Sequence, residues 1–225
     1  MKKIFFLTFV LFLCSTIQAQ EITNPNFAVA SHPMFINNIH ITSNQLVIKL
    51  TIENKVLGGN FCVDKNTYIE NVLTAQKSMF LYSENIPVCP DAYNFTWIGE
   101  KLSFQLYFPK PSEELKYMNI VEACDQNCFS IFGIVLDTTM NKLIDDAFKY
   151  FEERNYESSE TTLIRIMTEY PDYPFGNLYL NLIQVLLIQD KIEEANKYYQ
   201  VRSNSNFSDK KFIIDQLKNE TQLIK

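Results

Sequence analysis

Gln45-Leu46-Val47-Ile48-Lys49-Leu50-Thr51-Ile52 places apolar residues at every second position, the period of a strand that turns one face to a core and the other to solvent. Leu102-Ser103-Phe104-Gln105-Leu106-Tyr107-Phe108 repeats the pattern, so both strands are expected to line one core. Outward from them run further short β-branched and aromatic stretches: Ile39 to Thr42, Asn60 to Val63, Lys77 to Tyr82, Tyr117 to Val121 and Cys128 to Leu136. Gly58-Gly59, Ile86-Pro87, Cys89-Pro90 and Pro109-Lys110-Pro111 separate them with turn and breaker chemistry. Short strands at this spacing predict an Ig-like β-sandwich over residues 36–137. Residues 20–35 carry no such pattern and read as a flexible N-terminal segment.

Past Leu136 the period changes from 2 to 3.6. Ile144, Ala147, Phe148 and Phe151 share one helical face, and Leu163, Ile166, Met167 and Tyr170 another, with Arg154-Asn155-Tyr156 between them. After Pro171-Asp172-Tyr173-Pro174 a second pair follows: Tyr179, Leu182, Ile183 and Leu186, then Ile192, Ala195 and Tyr199. Ala147 aligns with Ile183, Tyr156 with Ile192, Ser159 with Ala195 and Leu163 with Tyr199, a repeat of 36 residues. Ser208, Phe212, Ile213 and Leu217 read as a capping helix. The expected fold class is therefore α+β in two domains, the sandwich followed over residues 138–225 by two helical hairpins and a cap.

The helical half resembles the tetratricopeptide repeat family on Ala147, Tyr156, Ser159, Leu163 and Pro171 in one unit and Tyr179, Leu182, Leu186, Ala195 and Tyr199 in the next. In that resemblance small residues allow close helix packing and aromatics fill the gaps. The period departs from the family's usual one, and Arg154 and Asp190 stand where the turn glycine is usual. Asn66-Thr67-Tyr68-Ile69-Glu70, Leu106-Tyr107-Phe108-Pro109 and Ile120-Val121-Glu122 before Cys124 resemble an uncharacterised β-sandwich domain of exported bacterial proteins, a resemblance that implies no activity.

Lys2 and Lys3 precede an apolar run from Ile4 to Cys14, then Ser15-Thr16-Ile17-Gln18-Ala19-Gln20. That is a signal peptide over residues 1–19, expected to be cleaved after Ala19, too short to span a bilayer. Leu13 before Cys14 argues against lipidation. Losing Lys2 and Lys3 makes the formal charge of −6 more negative still, which argues against nucleic-acid partners. No later apolar run is long enough to cross a membrane. Four cysteines remain after cleavage: Cys62, Cys89, Cys124 and Cys128. In an oxidising compartment they predict two disulfides, with three pairings open. The pairing expected is Cys62 with Cys89 and Cys124 with Cys128, the latter closing Asp125-Gln126-Asn127 as a tight turn. Chain entropy makes these bridges worth about 3.5 and about 2 kcal/mol. The expected location is the periplasm or exterior of a Gram-negative bacterium.

Chemistry is sparse. His40, between Ile39 and Ile41, reads as an outward side chain of a strand, and His32 is the only other histidine. The acidic run Asp145-Asp146, Glu152-Glu153 and Glu157 to Glu160 reads as a solvated helix face. Neither a phosphate loop, nor a nucleophile elbow, nor a His-Glu-x-x-His pattern is present, and isolated Cys62 and Cys89 lack zinc-site spacing. The sequence thus predicts no catalytic residue, metal or cofactor. It predicts a non-enzymatic exported protein that binds a peptide or protein partner through its helical repeats. The alternative is a carbohydrate- or cell-envelope-binding module with Trp97 as an aromatic platform, although packing is the commoner use of such a residue.

Overall fold

A computed structural model describes residues 20–124 and 128–209. The expected leader, the 125–127 turn and the body of the capping helix from Phe212 to Leu217 lie outside the described residues. Among these residues twelve strands form three antiparallel sheets. One contains β1 (Gln20–Thr23), β3 (Met34–Ile41), β4 (Gln45–Glu53), β10 (Lys101–Pro109) and β8 (Tyr82–Glu84), in the order β1-β3-β4-β10-β8. The second contains β2 (Val29–Ala30), β12 (Ser130–Val135), β11 (Tyr117–Val121), β6 (Tyr68–Asn71) and β7 (Lys77–Met79), in the order β2-β12-β11-β6-β7. The third pairs β5 (Asn60–Phe61) with β9 (Tyr93–Asn94).

The two large sheets face each other. Leu46, Ile48, Leu50 and Ile52 of β4 and Leu102, Phe104, Leu106 and Phe108 of β10 are buried, and Leu50 stands opposite Phe104 in the ladder. They share a core with Ile69, Met118, Ile120, Ile131 and Ile134 of the second sheet. The residues read as flexible, 20–35, are instead largely built into this sandwich. Ile22 is buried and β1 pairs with β3 over four residues, while Val29 and Ala30 pair with β12.

Four helices follow in the C-terminal part: α1 (Thr138–Glu152), α2 (Tyr156–Glu169), α3 (Asn177–Ile188) and α4 (Ile192–Asn204). Asp137 caps α1 by accepting from the Met140 N–H at 2.8 Å, and Asn155 caps α2 by accepting from Ser158. Arg154 and Asp190 take the left-handed backbone conformation that reverses each helix pair.

The helices correct the expected fold class. Among the described residues antiparallel sheet carries most of the architecture, twelve strands against four helices confined to the C-terminal part, and no tetratricopeptide-like repeat is shown; nor does anything single out an Ig-like sandwich. A solenoid repeat packs only on its neighbouring repeats. Here the helical side chains instead share one core with the outer face of the second sheet: Tyr117, Val135 and Phe132 cluster with Met140, Ile144, Ala147, Leu163, Leu182 and Leu186. Polar seams run across the same junction. The Tyr173 hydroxyl donates to the Gly133 carbonyl at 2.9 Å, and Asn141 donates to the Val135 carbonyl at 2.8 Å. The architecture is sheet on sheet on helices, with β11 and β12 of the second sheet covered on both faces.

A bulge makes that possible. Between the pairs Met118↔Ile134 and Ile120↔Ile131, the single Asn119 stands opposite two residues, Phe132 and Gly133. Gly133 has φ +70°, and its N–H donates to the Asn119 side chain at 2.9 Å. A Cβ there would lie 2.8 Å from Ala28 Cβ, 2.9 Å from Phe175 and 2.9 Å from the Tyr173 hydroxyl. Glycine is required twice over, by backbone angle and by space.

Candidate functional site

A cleft of 680 Å³ opens at one end of the sandwich, with β5 and both disulfides in its walls. Cys62 is bonded to Cys89 across 5.3 Å between Cα atoms, and Cys124 to Cys128 across 5.6 Å. The first bridge ties the end of β5 to the loop before β9, a link continued by the Cys89 N–H donating to the Val63 carbonyl at 3.0 Å. Cysteines of both bridges line the same cleft. The two disulfides are the covalent signature of a chain that matures outside the reducing cytosol.

Three buried polar side chains hold the walls. Glu122 accepts from the Asp64 N–H at 2.7 Å through one oxygen and from the Phe129 N–H at 2.9 Å through the other. It thereby joins the two disulfide-bearing segments, and burial raises its pKa despite those donors. Glu100 accepts from the Tyr93 hydroxyl at 2.7 Å, and from the Thr96 N–H at 2.6 Å and its hydroxyl at 2.8 Å. These hydrogen bonds, that from Tyr93 foremost, push its pKa down to about 2. Asn54 bridges two loops: its side-chain amide donates to the Trp97 carbonyl at 2.7 Å, its side-chain oxygen accepts from Val56, and its own carbonyl accepts from Gly99.

His32 stands at the wall with its ring edge-on to Phe61, 6.3 Å between centroids, and burial lowers its pKa, favouring the neutral ring. Phe61 in turn packs on Phe104 and Phe129. Glu53 pairs with Lys55 and with Lys101, and the Lys55 ammonium holds its carboxyl below the ordinary value. Glu122, Cys124 and Cys128 bring potential ligand atoms within 4.8 Å of one another. Both sulfurs are joined in a disulfide, so neither offers a thiolate, and the remaining carboxylate already receives two backbone N–H groups. The cluster does not suit a metal.

All the cysteines expected to pair are thus placed by the structure, and three of the four line the cleft. The residues expected to pack a repeat lie elsewhere, in the helical layer. Ala147, Ser159, Leu163, Leu182, Leu186 and Ala195 are buried there, with the Ser159 hydroxyl donating to the Ala147 carbonyl at 2.9 Å. Tyr156 packs edge-on to Phe151, Tyr179 against Tyr198 and Phe207, and Tyr199 is half-buried. His40 sits half-buried in β3, opposite Val47. Asp146 pairs with Lys142, and Asp145 accepts from Asn26.

Trp97 is 62% exposed rather than packed, and Ile98 beside it is 59% exposed. Across the Asn54 bridge, Val56 and Leu57 are 60% and 84% exposed. No helix among the described residues is long and apolar enough to cross a membrane.

Sequence reasoning missed Asn54, Glu100 and Glu122, which come from three separate segments with no shared motif. The tips did leave a local signal: Val56-Leu57-Gly58-Gly59 and Trp97-Ile98-Gly99 set apolar residues directly before turn glycines.

No family model and no curated protein matches the chain, so neither resemblance read from the sequence gains support. Among solved structures, a functionally unknown protein from Listeria monocytogenes EGD-e is similar at 9% identity over 55% of this chain and 87% of that one, with a TM-score of 0.33. A likeness at that level carries no argument about fold or function.

Proposed function

We propose that the chain is a non-enzymatic exported recognition protein, acting in the periplasm or after secretion, that binds a peptide segment of a protein partner in the disulfide-braced cleft. The observation carrying this reading is that the acids in and beside the cleft are already engaged: of those lining it, Asp64 accepts from the Asn66 N–H and Glu53 pairs with Lys55 and Lys101. Glu122 and Glu100 each accept two or more donors from the chain itself, so neither is placed as a general acid or base. What remains is a preformed opening with covalently braced walls, which lowers the ordering cost of binding. Glu53, Asp64 and Glu122 line it against Lys55 and a His32 favoured neutral. That balance favours a peptide bearing a basic side chain.

Selection from a random peptide library on the mature chain tests the reading. Peptides enriched in Lys or Arg should emerge and should lose binding to Asn60→Trp, which places an indole on an exposed lining residue. They should keep binding to Glu194→Trp on the exposed face of α4. Acidic peptides, or binding indifferent to Asn60→Trp, would refute it.

Trp97 favours a second reading, a sugar-binding platform, because its ring is exposed. Such platforms work beside hydrogen-bonding side chains, whereas the exposed polar side chains of these two tips are engaged, Thr96 with Glu100 and Lys55 with Glu53, and the remaining exposed side chains, Val56, Leu57 and Ile98, are apolar. That apolar company weakens the sugar reading.

A further inference from the structure

We infer that the N-terminus of α3 and Arg202 form a carboxylate-binding seat in the helical layer, filled in cis by Asp209, so that residues 205–209 are a strap that opens when that carboxylate is displaced. The inference goes beyond the peptide reading and does not depend on it.

The first backbone N–H groups of a helix need acceptors from outside it. α3 begins after Gly176, which has no side chain to offer one. The acceptor comes from 33 residues further along: both Asp209 carboxylate oxygens lie 2.8 Å from the Gly176 N–H. A carboxylate also matches the positive end of the helix dipole.

A second group points at the same place. Arg202, in the last turn of α4, is 5% exposed, and its Nε is buried without a hydrogen-bond partner. That nitrogen lies 3.1 Å from the position a Cβ on Gly176 would take, and the Asp209 Oδ1 3.4 Å from it. A buried guanidinium with an unpaired N–H marks a place built for an anion. Burial pushes the Asp209 pKa up and the Arg202 pKa down, and the charge of each works against the shift of the other, as expected of opposite charges sharing one dry site.

The strap itself is irregular and half in solvent. Asn206 and Ser208 are exposed. Phe207 packs on Tyr179 at 5.2 Å between centroids, in a hollow shared with Tyr173, Phe175 and Leu178, and the Ser208 N–H donates to the Pro174 carbonyl at 2.9 Å. The Asp209 contact is the charge-assisted one. Without it the closed strap would bury the Gly176 N–H and the Arg202 Nε with no acceptor, which is costly. The strap then lifts, water reaches both groups, and Phe207 leaves the hollow.

Chemical rescue tests the seat. Asp209→Ala empties it. Hydrogen exchange of the full mature chain should show residues 175–180 exchanging at least about tenfold faster than in the parent, the factor that goes with a lost charge-assisted hydrogen bond, with β4 and β10 unchanged. Sodium acetate should restore slow exchange there, and sodium chloride at equal ionic strength should not. Asp209→Asn, whose amide fills the seat without the charge, should fall between the two and ignore acetate. Parent-like exchange in Asp209→Ala overturns the inference. So does acetate acting no better than chloride, and so does loss of protection in β4 and β10 of both variants, which would make Asp209 a support of the whole fold rather than the hold of a strap.

Discussion

Gly133→Ala probes the junction between sheet and helices. The residue sits in the bulge of β12 at φ +70°, where an L side chain costs about 1–2 kcal/mol. The new methyl would fall 2.8–2.9 Å from Ala28, Phe175 and the Tyr173 hydroxyl, and overpacking of that kind costs about 1–3 kcal/mol. Displacing Tyr173 would also strain its bond to the Gly133 carbonyl, 2.9 Å long and buried, worth about 1 kcal/mol. The sum is about 3–6 kcal/mol. Gly58→Ala is the matched control: φ is +67°, yet nothing lies within 4 Å of the added methyl. It shares the backbone cost and the unfolded-state entropy gain, but lacks the packing cost. Thermal and urea unfolding of both variants beside the parent should separate them by at least about 2 kcal/mol, or about 4–8 °C for a chain of this size. Equal midpoints would refute the claim that the helical layer is seated on the sheet at Gly133.

Three further outcomes follow from particular residues. The Glu100 pKa is depressed to about 2 from an ordinary 4.5, so its contribution to stability is complete above 4.5 and lost as pH falls toward 2; that of Glu122 is raised, so stability falls as pH rises through its folded value. Urea midpoints from pH 3 to 8 should therefore lose part of their acid-side slope in Glu100→Gln, the rest belonging to Glu53 and Asp172, whose values are also lowered, and part of their decline above pH 4.5 in Glu122→Gln; a Glu122→Gln profile parallel to the parent's would contradict the raised value that burial gives Glu122. Ala195 is 2% exposed in α4 and Glu194 is exposed, so Ala195→Trp should cost about 1–3 kcal/mol and Glu194→Trp no more than about 0.5 by chemical denaturation. Arg154 is exposed at φ +60° just after α1, and Arg154→Gly should raise stability by about 0.5 kcal/mol once relief of the left-handed backbone is set against the flexibility of glycine; a loss of stability would show that the arginine side chain matters more than its backbone angle.

Much of the sandwich was legible because its strands are buried on one face only. The alternation in β4 and β10 is a direct imprint of that asymmetry. Tyr117-Met118-Asn119-Ile120 and Ile131-Phe132-Gly133-Ile134-Val135-Leu136 lack it, since both of their faces are covered, and a run of this kind is the mark of a strand between two layers. The same runs held the clue that the helices were not free-standing. Helical period tells which face of α1 to α4 is buried, not what it is buried against, so a stripe that suits a repeat suits a sheet equally well. β1 escaped notice because one buried residue, Ile22, in a strand of four makes no period. The cleft escaped because His32, Asn54, Glu100 and Glu122 are brought together by topology, while only the even cysteine number had a sequence signature.

The most direct test of the central claim, that the disulfide-braced end of the sandwich is the recognition surface, is hydrogen exchange of the mature chain with and without a peptide selected on it. Added protection is expected at residues 54–64 and 88–100 and around Glu122, with α1 to α4 unchanged. Protection confined to the helices, with the cleft exchanging as in the free protein, would contradict it.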